Sequence, residues 1–138
     1  MPEDESIETL IKSMATQLQR RLTTANEELL MIGIHSGGVW VAEELHRLLN
    51  LTHPLATLDI SFYRDDFSKI GMNPQVKPSK LPVSVSDKHI ILVDDILHTG
   101  RTIRAAMNEI FDYGRPAMIT LVVLGERTGR ELPIQADI

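Results

Sequence analysis

Two adjacent carboxylates, Asp94 and Asp95, directly follow the apolar run Ile90–Val93, and the string continues to Thr102 as IILVDDILHTGRT. Neighbouring carboxylates repel one another, so this pair calls for a cation or a set of hydroxyl donors. A ribose 2′,3′-diol supplies the donors, and an accompanying Mg²⁺ supplies the charge. His98, Thr99, Gly100, Arg101 and Thr102 then open a predicted helix over 100–113. Backbone N–H groups at a helix N-terminus point outward and favour anions. Gly100 allows close approach, and two threonine hydroxyls add donors. Taken singly, Asp95 or Thr99 reads equally well as an ordinary helix cap. The whole order of strand, Asp-Asp, two apolar residues, x-T-G-R-T and helix is far more specific, and it reads as a phosphate cradle set one ribose length from the carboxylates.

Such residues need a scaffold that brings them to one edge. Ile7, Leu10, Ile11, Met14, Leu18 and Leu22 recur at helical spacing, which predicts an N-terminal helix over 1–22. Leu29–Ile34 (LLMIGI) has the length of a buried strand, and Val39–Leu49 resumes a helical pattern after Gly37 and Gly38. Leu55–Tyr63 reads as a strand in which Leu58, Ile60 and Phe62 alternate with Asp59, Ser61 and Tyr63. Residues 64–88 are polar, with Pro74, Pro78 and Pro82, and are expected to form a flexible loop. His89–Val93 and Met118–Leu124 complete the predicted strands; Gly114 and Pro116 end the helix between them. Helices alternating with apolar strands predict an α/β fold with a parallel sheet covered on both faces. Ligands bind outside the carboxyl ends of such strands, where Asp94 and Asp95 are expected.

The 138 residues are expected to form a single domain, 1–138. No apolar run approaches the roughly eighteen residues of a membrane span. The acidic start MPEDESIE lacks the basic and then apolar order of a secretory signal, so the cytoplasm is the expected location. The absence of cysteine excludes disulfides and thiolate metal sites. A net charge of −5 argues mildly against a dedicated nucleic-acid binder, although Arg20, Arg21, Arg101, Arg104, Arg115, Arg127 and Arg130 leave room for a local patch. His35, His46, His53, His89 and His98 show no i, i+4 metal pair and are expected at the surface or satisfied internally. Trp40 is expected in the core, and Met107, Ile110 and Phe111 are expected to pack the helix they share.

The clamp, with LDISFYRDDFSKIG (Leu58–Gly71), FDYGRPAMITLVVL and ERTGRELPI, resembles the type I phosphoribosyltransferases. Within them it looks like the PyrR proteins, regulators of pyrimidine biosynthesis that also have uracil phosphoribosyltransferase activity. The likeness is close from about Met31 onward. It implies a type I phosphoribosyltransferase-like parallel sheet flanked by helices, with a C-terminal part short relative to the family. It also implies a reaction in which uracil and phosphoribosyl pyrophosphate (PRPP) give UMP and pyrophosphate, with Mg²⁺ bound through PRPP near Asp94 and Asp95 rather than on a dedicated protein site. By the same resemblance Asp94, Asp95 and Arg127 form the catalytic set, Arg127 lying in a DRG-like position near the base. The nucleotide is bound along Asp94, Asp95, Ile96, Leu97, His98, Thr99, Gly100, Arg101 and Thr102. His35, Ser36, Gly37 and Gly38 form the pyrophosphate loop, and Arg64 and Lys69 belong to the loop that closes over PRPP. Homo-oligomers are usual in the family.

Three features depart from the family pattern. Gly37 stands where an Arg is common, so the pyrophosphate loop has one fixed positive charge fewer. His98 stands where Tyr is usual and is expected to be a neutral or partly exposed replacement without a proton-transfer role. The first helix carries IKSMATQLQRR in place of a basic, histidine-containing face, so Lys12, Arg20 and Arg21 are the candidates for any RNA contact. Two functions follow: a uracil phosphoribosyltransferase, or a non-catalytic UMP- or PRPP-sensing regulator acting through RNA or a protein partner.

Overall fold

The computed structural model describes residues 2–60, 81–126, 129 and 131–138. Helix α1 (Pro2–Arg21) leads through a 3₁₀ turn (Asn26–Glu28) into β1 (Leu29–Ile34), α2 (Gly37–Leu49) and β2 (Ala56–Leu58). Strand β3 (His89–Leu97), helix α3 (Arg101–Tyr113) and β4 (Met118–Glu126) follow. The four strands form one parallel sheet in the order β2-β1-β3-β4. All six residues of β1 are buried, as a parallel strand covered on both faces requires.

Strand periodicity sorts the core into two layers. Leu30, Ile32 and Ile34 of β1 and Ile90 and Leu92 of β3 face Ile103, Ala106 and Ile110 of α3. Their neighbours Leu29, Met31, Ile91 and Val93 face Ile11, Met14 and Leu18 of α1 and Val41, Ala42 and Leu45 of α2. Gly33 lets α2 press onto β1, for a Cβ there would stand 2.9 Å from that of Ala42. The chain leaves β1 toward one edge of the sheet and β3 toward the other. Right-handed crossovers therefore put α2 and α3 on opposite faces, and the switch point falls between β1 and β3.

Several expectations are corrected. Leu10 on α1 is 43% exposed, and Trp40 is 50% exposed, lining a cavity of about 400 Å³ between α1 and α2 with Ile7 and Leu48. Trp40 sits in the first turn of α2, on the side that borders this open groove rather than the sheet. Of the α3 trio Ile110 is buried and Met107 packs beside the core, but Phe111 is 54% exposed because the next position on the helix has turned away from the sheet. Strand β2 is three residues long; Ile60 beyond it is buried and Ser61–Tyr63 lie outside the described residues. Residues 81–88, the end of the predicted loop, pack down: Val85 is buried in the α3-side core and Leu81 and Val83 lie against it.

At the N-terminal edge of the sheet, His89 is buried with both ring nitrogens engaged. Nδ1 lies 2.8 Å from Thr24 Oγ1 and Nε2 lies 2.7 Å from Thr120 Oγ1. Burial lowers the pKa of this imidazole, against a smaller opposing pull from Asp137. His46 Nε2 and His53 Nε2 meet backbone carbonyls at 2.8 and 2.7 Å. No helix among the described residues is long and apolar enough to cross a membrane.

Candidate ribose-phosphate site

Asp94 and Asp95 do not follow a strand that ends at Val93; they lie inside β3, which runs on to Leu97. Asp94 pairs with Val123, Ile96 with Gly125 and Leu97 with Glu126, so β4 keeps this backbone satisfied. On its other side β3 loses its neighbour, because β1 ends at Ile34, one residue past the Gly33–Val93 pair. The carboxylates therefore stand where β3 outruns β1, at the open side of the strand rather than in a loop after it. Asp94 is buried and Asp95 half-buried. Asp94 Oδ1 accepts the Asp95 N–H at 2.8 Å, and Asp95 Oδ1 accepts the Ile96 N–H at 2.8 Å. These short local bonds fix the orientation of both groups.

The loop after β1 comes to the same place. The His35 N–H donates to Leu58 O at 2.8 Å, tying the end of β1 to β2. The peptide joining His35 and Ser36 is cis, and both side chains are exposed. Helix α2 then begins at Gly37, with its first turn laid on the Asp-Asp step. A Cβ on Gly38 would stand 2.6 Å from Val93 O and 2.9 Å from Asp94 Cα. A Cβ on Gly37 would stand 2.0 Å from Asp95 Oδ2. The two glycines let a helix N-terminus and a pair of carboxylates share this edge. That gives a physical role to the missing Arg side chain at Gly37: in this structure its space belongs to the Asp95 carboxylate.

The third part is the start of α3. Its N-cap is Gly100, not a residue inside the helix, with φ 96°, a conformation that L side chains rarely adopt. The first ladder bond runs from the Arg104 N–H to Gly100 O, so the N–H groups of Thr102 and Ile103 precede the ladder and face outward. Thr99 Oγ1 accepts the Arg101 N–H at 3.1 Å, so the capping role and the cradle geometry hold together. Leu97 is buried, Ile96 is 41% exposed, and His98 is half-buried, its Nε2 3.0 Å from where a Cβ on Gly129 would lie. Arg64, Lys69 and Arg127 lie outside the described residues. Among the described residues no three His, Asp or Glu side chains gather as a metal site.

The C-terminal segment is the part that sequence reasoning missed. The N–H groups of Glu131 and Leu132 both donate to Thr99 O, at 2.9 and 3.0 Å, and Arg101 Nε pairs with Glu131 Oε1 at 2.7 Å. Farther on, the Asp137 N–H donates to Leu121 O at 2.8 Å, and Asp137 Oδ2 accepts the Leu121 N–H at 2.9 Å. The available signal was the alternation of half-buried Leu132, Ile134 and Ala136 with exposed Glu131, Pro133, Gln135 and Asp137.

Residues 3–138 match the family model of the phosphoribosyl transferase domain. The chain is 60% identical over 140 residues to the bifunctional protein PyrR of Nitrosococcus oceani, covering 99% of this chain and 79% of that one. It is 54% identical over 130 residues to the bifunctional protein PyrR of Pseudomonas aeruginosa, covering 94% of this chain and 76% of that one. The chain belongs to the PyrR family of phosphoribosyltransferases. The likeness reaches across α1, well before Met31. Among solved structures the PyrR-family fold seen here superposes on a hypoxanthine phosphoribosyltransferase from Staphylococcus aureus with a TM-score of 0.75 at 20% identity, covering 96% of this chain and 70% of that one. A purine phosphoribosyltransferase from Pyrococcus horikoshii gives a TM-score of 0.70 at 21% identity, covering 95% and 78%. At such identities these structures speak for the fold alone.

Proposed function

We propose that this protein transfers the phosphoribosyl group of PRPP to uracil, giving UMP and pyrophosphate, and regulates pyrimidine biosynthesis genes according to the nucleotide it holds. The observation that carries the reading is the meeting of the Asp94–Asp95 step, the His35–Gly38 loop and the α3 N-terminus at one switch point, in a chain 60% identical to a PyrR protein. In this reading Asp94 and Asp95 accept hydrogen bonds from the ribose 2′- and 3′-hydroxyls. The N–H groups of Thr102 and Ile103 and the threonine hydroxyls hold the 5′-phosphate. Anchoring the sugar at both ends fixes C1′, where the bond to pyrophosphate breaks through an oxocarbenium-like state as the uracil nitrogen attacks. The His35–Gly38 backbone stabilises the departing pyrophosphate. The family resemblance assigns Arg127 to the base and Arg64 and Lys69 to PRPP, all three outside the described residues. Asp94 and Asp95 would hold, through PRPP, a cation that brings most of its oxygens along, as Mg²⁺ does with pyrophosphate and water. When bound, it offsets the charge of the leaving group.

Product formation from labelled PRPP and uracil tests the enzyme. No UMP above background, with nucleotide binding intact, makes the protein a sensor and overturns the catalytic half. Regulation through RNA has Lys12 and Arg20 exposed on α1, whereas Arg21 is turned to Asp137, its Nη1 donating to the backbone oxygen at 2.6 Å. A salt titration of nucleotide-dependent RNA affinity tests this: a flat response refutes phosphate contact. We also propose that the protein works as a homo-oligomer, which its mass in sedimentation tests.

A further inference from the structure

We infer that the backbone of Glu131 and Leu132 is a positioning element for the phosphate cradle, aiming and polarising the N–H of Gly100. The inference rests on the proposed function, because it assigns the cradle to a 5′-phosphate. The Thr99–Gly100 peptide is trans and planar, so its carbonyl and its N–H point in opposite directions. Thr99 O is held by two donors, the N–H groups of Glu131 and Leu132, at 2.9 and 3.0 Å. Gripping the oxygen from the C-terminal segment therefore turns the Gly100 N–H away from that segment. Two donors on one carbonyl also draw electron density toward the oxygen, which makes the N–H of the same peptide a stronger donor.

Side chains lock the same arrangement. Gly100 packs against Leu132 and Ile134, its absent Cβ falling 3.2 Å from Leu132 Cβ. With φ at 96°, Gly100 is in a region that glycine enters freely, so contacts from outside the residue are what hold this peptide plane. Asp137 anchors the far end of the segment on Leu121 of β4 through two hydrogen bonds of 2.8 and 2.9 Å. The segment is therefore fixed at both ends, on the sheet and on the cradle, and transmits the position of the sheet to the peptide.

Proline substitution removes the N–H of the substituted residue; at Leu132 it also replaces the side chain that packs on Gly100, so Glu131→Pro is the cleaner variant. Glu131→Pro and Leu132→Pro each delete one donor to Thr99 O; Glu131→Ala keeps both donors and breaks only the pair with Arg101. Calorimetry with UMP and with uridine, on the full chain, separates phosphate recognition from the remainder. Each proline variant is expected to lose roughly tenfold in UMP affinity, the scale of one weakened hydrogen bond to a charged group, with uridine affinity unchanged. Glu131→Ala is expected to stay within about twofold of the parent. Parental UMP affinity in both proline variants, or an equal loss in Glu131→Ala, overturns the inference. Should the proline variants fail to fold, amide NMR of the parent decides: the Gly100 N–H resonance moves downfield on UMP addition, and an unmoved resonance overturns it. A parent chain that binds neither UMP nor PRPP overturns the proposed function itself, and with it this inference.

Discussion

Gly37 and Gly38 are adjacent, both lie in the first turn of α2, and substituting each by alanine should fail in a different way. At Gly38 the new Cβ would meet backbone, 2.6 Å from Val93 O and 2.9 Å from Asp94 Cα. Neither atom can rotate aside, so α2 must lift from β3, at a cost of about 1–3 kcal/mol in stability, as overpacking typically costs. At Gly37 the Cβ would meet the tip of a side chain, 2.0 Å from Asp95 Oδ2, about 1.4 Å short of the 3.4 Å at which ordinary contact begins. Asp95 Cγ would also lie 2.6 Å away, so the whole side chain must swing aside and give up its bond from the Ile96 N–H, and Gly37→Ala should cost about 0.5–1.5 kcal/mol, the net worth of one hydrogen bond. The rotated carboxylate no longer points where the ribose is proposed to bind. Losing one hydrogen bond to a charged group, about 1.5–3 kcal/mol, corresponds to a ten- to hundredfold weaker affinity. Urea unfolding gives the stabilities, and calorimetry with UMP and PRPP gives the affinities. A double-mutant cycle adds the decisive comparison, since Gly37→Ala should have no further effect once Asp95 is already alanine. Full affinity in Gly37→Ala, or an undiminished loss in the Asp95→Ala background, would refute the reasoning.

Other outcomes follow from the same geometry. Replacing both carboxylates, Asp94→Asn with Asp95→Asn, should abolish PRPP binding in calorimetry, and unchanged binding would remove the clamp from those residues. Gly100→Ala forces a side chain into φ 96° and should cost about 1–2 kcal/mol in urea unfolding; a neutral result would mean that the cap is not held there. His89 has its pKa lowered by burial. The unfolded chain therefore takes up the proton first as pH falls below the ordinary histidine value of 6.5, and the folded state loses stability until its own lower pKa is passed. Urea midpoints should fall from pH 7.5 to pH 5, conditions set about one unit or more either side of that value, and His89→Gln should flatten the profile. A midpoint that rises on acidification in the parent, and does so less in the variant, would reverse the sign.

Much of this protein is written locally in its sequence. The six-residue apolar run of β1, the helical spacing of α1 and the stop at Gly114 each depend on nearest neighbours, so residue types alone announce them. The Asp-Asp and T-G-R-T strings also disclose their chemistry, because carboxylates and a glycine-capped helix start behave alike in any scaffold. What residue types do not encode is where one segment ends against another. By residue type the Asp94–Asp95 step reads as a strand end, yet β4 carries β3 on to Leu97, and it is the earlier stop of β1 that opens the site. Exposure of Trp40 and Phe111 likewise depends on what lies opposite them, which helical periodicity leaves undetermined. Gly37 reads in sequence only as a lost positive charge; in three dimensions it is the space that Asp95 occupies. The return of Glu131 and Leu132 to Thr99 spans about thirty residues of chain, and the energy that fixes it comes from contacts that exist only once the sheet has formed. Local composition determined the clamp's chemistry, and the tertiary structure decided which backbone holds it in place.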